Sequence, residues 1–135
     1  MENGIDRVED GWDLRPMRGV GVGEVVLGST VRRLHIGPHG IEAHGPAELT
    51  AGTETFPVHA AARLNLGRVT QLLDQVVAGV RADDSGTLSV RFANGWRLDV
   101  PAASDGPGWT VALRGRHFLA SAPGGSVRTS DQRRG

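Results

Sequence analysis

Apolar and polar residues alternate with a period of two along much of this chain, the pattern of strands buried on one side. In TLSVRFANGWRLDV (87–100), Leu88, Val90 and Phe92 share one face, and Trp96, Leu98 and Val100 share one after the turn. A two-residue Asn-Gly loop would set Phe92 against Arg97 and mix the faces. A three-residue loop, Ala93-Asn94-Gly95, pairs Phe92 with Trp96, Val90 with Leu98 and Leu88 with Val100. It also puts Gly95 where a left-handed residue follows a type I turn. The preceding turn repeats the device, since Asp84-Ser85-Gly86 pairs Ala82 with Leu88 and Val80 with Val90. Residues 76–100 are therefore expected as a three-stranded antiparallel meander. Val76, Ala78, Val80 and Ala82 join the two sets above on its apolar face, while Arg81, Asp83, Ser89, Arg91, Arg97 and Asp99 face solvent.

Upstream, Leu66, Val69, Leu72, Leu73 and Val76 follow helical spacing, with Asn65 as N-cap. The spacing predicts one helix over about 64–75, packed on the meander. Downstream, Trp109, Val111 and Leu113 alternate, Arg114-Gly115-Arg116 turns, and Phe118 to Ala120 returns. Pro123-Gly124-Gly125 then breaks the pattern before a short segment at Val127. At an offset of 46 residues, Leu27, Val31, Leu34, Ile36 and Gly40 echo Leu73, Val77, Val80, Ala82 and Gly86. The echo suggests that 27–49 and 73–100 are related halves, the first also a strand pair. Residues 50–60 read as a connection. The whole is an α+β domain, mainly antiparallel sheet built from hairpins with one helix, spanning 14–127 between an acidic tail at 1–13 and a second tail at 128–135.

The most chemical stretch is HIGPHGIEAHG (35–45). With Gly37-Pro38-His39-Gly40 as a four-residue loop, Ile36 pairs with Ile41, His35 with Glu42 and Arg33 with His44. His35, Glu42 and His44 then share one face, and two imidazoles with a carboxylate are a ligand set for zinc or non-haem iron. Against this, Arg33 lies on the same face and repels a dication, and no second shell orients the imidazoles. A three-residue loop would instead oppose Ile36 to Glu42 and dissolve the set. His39 sits on the turn in the four-residue register.

Composition narrows the chemistry further. Charge balances, with 15 basic and 15 acidic side chains, so no global field attracts nucleic acid or an anionic membrane. All the basic residues are Arg, and cysteine is absent, which removes disulfides, thiolate metal sites and cysteine nucleophiles. The amino-terminal stretch lacks the basic and apolar regions of a secretory signal, and no apolar window is long enough to cross a membrane, so a cytoplasmic protein is expected. GVGVGE (19–24) lacks the Lys-Ser/Thr of a P-loop and reads as a glycine-rich strand or bulge. Ser104 and Ser121 have no nucleophile elbow around them. Asp83-Asp84 reads as a turn, and Trp12, Trp96 and Trp109 as core.

With the strands placed, LSVRFANGWRLDVP, Trp109 and Ser121-Ala-Pro-Gly-Gly125 resemble small actinobacterial proteins grouped as a domain of unknown function. Their pattern is roughly L-x-V-x-F-x-D/N-G-x-x-L-x-V-P-P, a spacer ending in Trp, then S-x-P-G-G. The Ile41–Leu49 run and Trp12-x-Leu14 also look similar, while the spacer Ala102–Gly108 lacks the second proline usual there. The resemblance implies a compact, strand-rich α+β domain and an immunity-like or accessory role; it brings no catalytic residue and no cofactor. The function expected is therefore a non-enzymatic binding or interaction domain, with a protein partner or a second copy. The alternatives are metal binding by His35, Glu42 and His44, or a small-molecule carrier with its pocket between helix and sheet.

Overall fold

A computed structural model of the chain describes residues 5–28, 31–59, 65–103, 108–114, 117–122 and 125–131. Among the described residues thirteen strands run in chain order: β1 (Ile5–Val8), β2 (Gly11–Leu14), β3 (Val22–Leu27), β4 (Arg32–Ile36), β5 (His39–Ala43), β6 (Ala47–Ala51), β7 (Glu54–Val58), β8 (Val77–Asp83), β9 (Leu88–Phe92), β10 (Arg97–Val100), β11 (Trp109–Leu113), β12 (His117–Ala122) and β13 (Ser126–Asp131). They form two antiparallel sheets, ordered β1-β2-β8-β9-β10-β6-β7 and β13-β12-β11-β5-β4-β3. One short helix, α1 (Leu66–Val69), continues as a 3-10 turn at Thr70–Leu72. The inner faces of both sheets share a single core that includes Leu49, Val80, Val90 and Leu98 from the first and Leu34, Ile41, Val111 and Leu119 from the second. Each large apolar side chain buried there contributes roughly 1.5–3 kcal/mol.

Both registers of the meander form as the alternation predicts. Val90 lies opposite Leu98 and Leu88 opposite Val100, and the Phe92 N–H donates to the Trp96 carbonyl at 2.9 Å. Ala82 lies opposite Leu88, and Gly86 and Gly95 both take φ of 93°. The apolar face departs from expectation at its start. Val77 lies opposite Phe92 but Gly79 opposite Arg91, so Ala78 is an extra residue in a β-bulge. The bulge shifts the phase, burying Val77 and leaving Val76 and Ala78 exposed.

The helix stands where expected but is a single turn, because Leu73 and Val76 serve another structure. The Val22 carbonyl accepts the Asp74 N–H at 2.8 Å, and the Val22 N–H donates to the Gln75 carbonyl at 2.9 Å. The chain is thus already extended beside β3, and only Val69 and Leu72 of the described stripe are buried. Asn65 takes a left-handed conformation and makes no side-chain cap; its amide donates to the Pro57 carbonyl at 2.6 Å.

Three further segments are more ordered than the sequence suggests. The acidic amino terminus folds from Ile5 as the β1–β2 hairpin, with Arg7 held by Asp84 at 2.7 and 2.9 Å and lying 5.1 Å from the Trp12 ring. The stretch expected as a connection is the β6–β7 hairpin, and Pro57 is tolerated because β7 is an edge strand. Strand β13 runs through Arg128 to Asp131, into the segment expected as a tail. The echoing halves supply hairpins to different sheets, β4–β5 to one and β8–β9 to the other. The expected helix start at Leu64, the Ser104-Asp105 spacer, the Gly115-Arg116 turn, Pro123-Gly124 and the outermost residues 1–4 and 132–135 lie outside the described residues.

The sheets meet at one end through a side-chain hydrogen bond and a close backbone approach. The Trp109 indole, fully buried, donates to the Gly86 carbonyl at 2.8 Å, and the Gly108 N–H donates to Ser121 Oγ at 2.7 Å. Gly125 has φ of 109°, and a Cβ there would stand 2.6 Å from the Ser85 carbonyl oxygen. Gly95 has a similar φ but nothing within 4 Å. Gly95→Ala is therefore expected to cost about 1–2 kcal/mol from conformation alone. Gly125→Ala, which must also displace backbone, should cost at least about 2 kcal/mol more. Urea unfolding of both variants checks the difference.

Candidate functional site

The histidine hairpin closes with a two-residue Gly37-Pro38 loop, not the four- or three-residue loops the sequence allows. Ile36 lies opposite His39, His35 opposite Gly40, Leu34 opposite Ile41 and Arg33 opposite Glu42. Gly37 takes φ of 60°, which a tight hairpin of this kind needs. Strand parity then sends Arg32, Leu34, Ile36, His39, Ile41 and Ala43 inward and leaves Arg33, His35, Gly40, Glu42 and His44 on the outer face.

Of the three expected ligands, the structure brings two together. His44 Nε2 lies 3.5 Å from Glu42 Oε1, whereas His35 Nε2 faces Glu24 on β3 at 3.9 Å. Glu42 is instead engaged by Arg33 directly across the hairpin, whose Nε donates to Oε2 at 2.7 Å. Thr110 Oγ1 stands 3.5 Å from Glu42 Oε1. Among the described residues no group of three or more His, Asp or Glu side chains stands where it could hold a metal ion.

Residue pairing across the six-stranded sheet orders its outer face into two transverse rows. One runs Glu24, His35, Gly40, Ala112, Phe118 from β3 to β12; the next runs Val26, Arg33, Glu42, Thr110, Ala120, Arg128 from β3 to β13. Gly40 and Ala112 sit side by side in the middle of the first row, and the small side chains leave a trough between His35 and Phe118. The Arg33–Glu42 pair and Thr110 border it on one side and the Gly37-Pro38 turn closes an end. The cleft encloses about 510 Å³, within the range of ligand sites, roughly 300–1,000 Å³. A second groove, about 600 Å³, lies on the outer face of the seven-stranded sheet between Pro46, Pro57 and Pro101. Most of its polar groups engage one another: Asp99 accepts from Ser89 at 2.6 Å and Arg97 at 2.7 Å, and Asp83 accepts from Ser85 and Thr87. The space between α1 and the sheets, where a carrier pocket was expected, is about 10 Å³, room for one water.

Gly40 is what opens the outer cleft, and the backbone does not require it. Its φ is not in the left-handed region, and a Cβ there would have its nearest neighbour 4.0 Å away. Glycine inside a strand weakens it and typically marks a bulge, a sharp bend or close approach by another molecule. Here no bulge interrupts the β4–β5 or β5–β11 ladders.

Two polar residues behind the cleft escape the sequence reading because it places His39 on a turn and passes over Arg32. Arg32 is buried beneath the sheet, where desolvation lowers its pKa, and it donates to the Gly45 carbonyl. His39 is 3% exposed. Its Nδ1 accepts the Arg114 N–H at 3.1 Å, so its proton sits on Nε2, free to donate to the Pro16 carbonyl that hydrogen bonds the ring. The signal that could have found both is parity: each is in phase with its strand's buried aliphatics.

A family model described as a family of unknown function (DUF6188) matches residues 13–131. The chain belongs to that family of small, strand-rich domains, whose description assigns no activity. No curated protein and no solved structure matches this chain.

Burial, and then the charge of Arg114, lowers the His39 pKa below 6.5, while the Pro16 hydrogen bond opposes the shift. The folded state therefore binds fewer protons than the unfolded chain. This contribution to stability is fully present above about pH 6.5 and is lost as pH falls through the window below it. Melts in mildly acidic buffers should show the midpoint falling below about pH 6.5 in the wild type. His39→Gln, whose amide reproduces both hydrogen bonds without titrating, should flatten that step.

Proposed function

We propose that this chain is a non-enzymatic binding domain of the cytoplasm that engages a protein partner through the outer face of the six-stranded sheet. The cleft between His35 and Phe118 takes an anchoring side chain of the partner. The observation that carries this reading is the trough at Gly40 and Ala112, a concave site on a face that strand side chains would otherwise fill. Interfaces draw most of their energy from a few side chains buried in such pockets, ringed by polar groups that exclude water. Arg33, Glu42, Thr110 and His35 supply that rim.

Filling the trough from the neighbouring strand tests the reading. Ala112→Phe projects onto the outer face and should leave the melting temperature within a few degrees of wild type. Wild-type protein immobilised in lysate of its source should retain a specific protein that Ala112→Phe loses. A homodimer seen by native mass spectrometry and abolished by Ala112→Phe would make the partner a second copy. Equal retention by both proteins, or no retained protein and a strict monomer, would sink the proposal.

A further inference from the structure

Resting on the reading of the cleft as a protein-anchoring site, we infer that the anchor is an aromatic residue, its ring lying flat on Gly40 and Ala112 and its own peptide amide held by Arg33 and Glu42. The floor selects shape. It is formed by the bare backbone of Gly40 and the methyl of Ala112, paired across β5 and β11. Two strands separate His35 from Phe118, leaving a floor about 10 Å wide. A ring laid on such a floor meets it over its whole face, burying on the order of 150–250 Å² for the side chain. A branched aliphatic group has no extended flat face and touches the same floor at few atoms.

The walls select the same chemistry. Phe118 at one side and His35 at the other line the cleft, and a ring lying between two aromatic walls can take the offset or edge-to-face geometries that aromatic pairs favour. The Arg33 guanidinium at the rim can add a cation–π contact. Arg33 and Glu42 stand directly opposite across the β4–β5 pair and form an ion pair. Arg33 keeps N–H donors beyond those on Glu42 Oε2, and Glu42 Oε1 accepts only a long bond from Thr110 at 3.5 Å, with His44 Nε2 standing 3.5 Å away. A donor beside an acceptor is complementary to an amide, whose carbonyl accepts from Arg33 and whose N–H donates to Glu42. A free carboxylate in that place would meet Glu42 with like charge, so an internal residue of a chain fits better than a terminal acid.

Gly40 is then the residue that determines specificity, and it separates recognition from folding. Gly40→Val fills the trough in a strand that the β-branched residue suits, and Gly40→Ala raises the floor by one methyl. Both should keep or raise the melting temperature, by about 1–5 °C.

The full chain, labelled for amide NMR, would be titrated with N-acetyl-tryptophanamide, N-acetyl-leucinamide, N-acetyl-tryptophan as its free acid, and nicotinamide. The expected result is saturable shifts at Gly40, Thr110, Ala112 and Phe118 with the tryptophanamide. Binding should be at least about fivefold weaker for the leucinamide and for the free acid, a difference of about 1 kcal/mol. Gly40→Val should abolish the shifts and Gly40→Ala weaken them at unchanged fold. Equal binding of the leucinamide, shifts at other residues, or persistence in Gly40→Val would overturn the inference. Stronger binding of nicotinamide would also overturn it, in favour of a small heterocyclic ligand. A retained protein lost with Ala112→Phe, but no tryptophanamide binding, would leave the cleft as a protein site and remove the aromatic anchor alone. Loss of both results would remove the two together.

Discussion

The hydrogen bond from the Trp109 indole to the Gly86 carbonyl is the contact on which this two-sheet arrangement turns. Trp109 begins β11 in one sheet, and Gly86 lies in the β8–β9 turn of the other. Three chain crossings pass between the sheets: through the Arg15–Met17 3-10 turn, at His44–Pro46, and after Pro101. Each demands that the sheets keep a fixed offset. Backbone supplies that offset at the Trp109 end, because Gly86 stands close to Ala102 and Gly125, and Gly125 to Ser85. Removing the indole donor would leave a buried carbonyl unpaired at a cost of about 1–3 kcal/mol, besides the lost packing.

The carboxyl-half residues on which the sequence resemblance rests fall on this joint rather than on the outer cleft. Gly95 closes the β9–β10 turn, Trp109 and Ser121 carry the two buried hydrogen bonds across the 108–121 region, and Gly125 packs on the Asp84-Ser85-Gly86 turn. The most recognisable residues of the sequence therefore explain why the domain folds. They say little about what the outer face does, and Gly40, Phe118 and Arg33 of the candidate cleft lie outside them.

How much could be read from sequence follows from where local rules had competitors. The 76–100 meander was legible because glycine turns and apolar parity agreed on one register. Its first residues were not, because a bulge at Ala78 changes parity without leaving a mark in composition. The helix was overdrawn because Leu73 and Val76 keep helical spacing while actually lying in the extended stretch beside β3, exposed at 46% and 42%. The histidine hairpin was misregistered by a reasonable prejudice, that a histidine flanked by glycines belongs on a turn. The true register requires an imidazole in the core, and it succeeds because the Arg114 N–H and Pro16 carbonyl satisfy both ring nitrogens. The edge hairpins at both ends of the seven-stranded sheet were missed because charges and Pro57, which protect exposed edges from mispairing, are also the residues that make a segment look unstructured.

Gly40 has an evolutionary corollary. Every glycine codon is one nucleotide from an alanine codon and one from a valine codon, and both residues fit this strand at least as well. Random mutation alone would therefore close the trough quickly, at no loss to the fold. On the proposed reading, binding at the outer face is what keeps the backbone bare at Gly40, and a relative carrying alanine or valine there is expected to have lost the cleft.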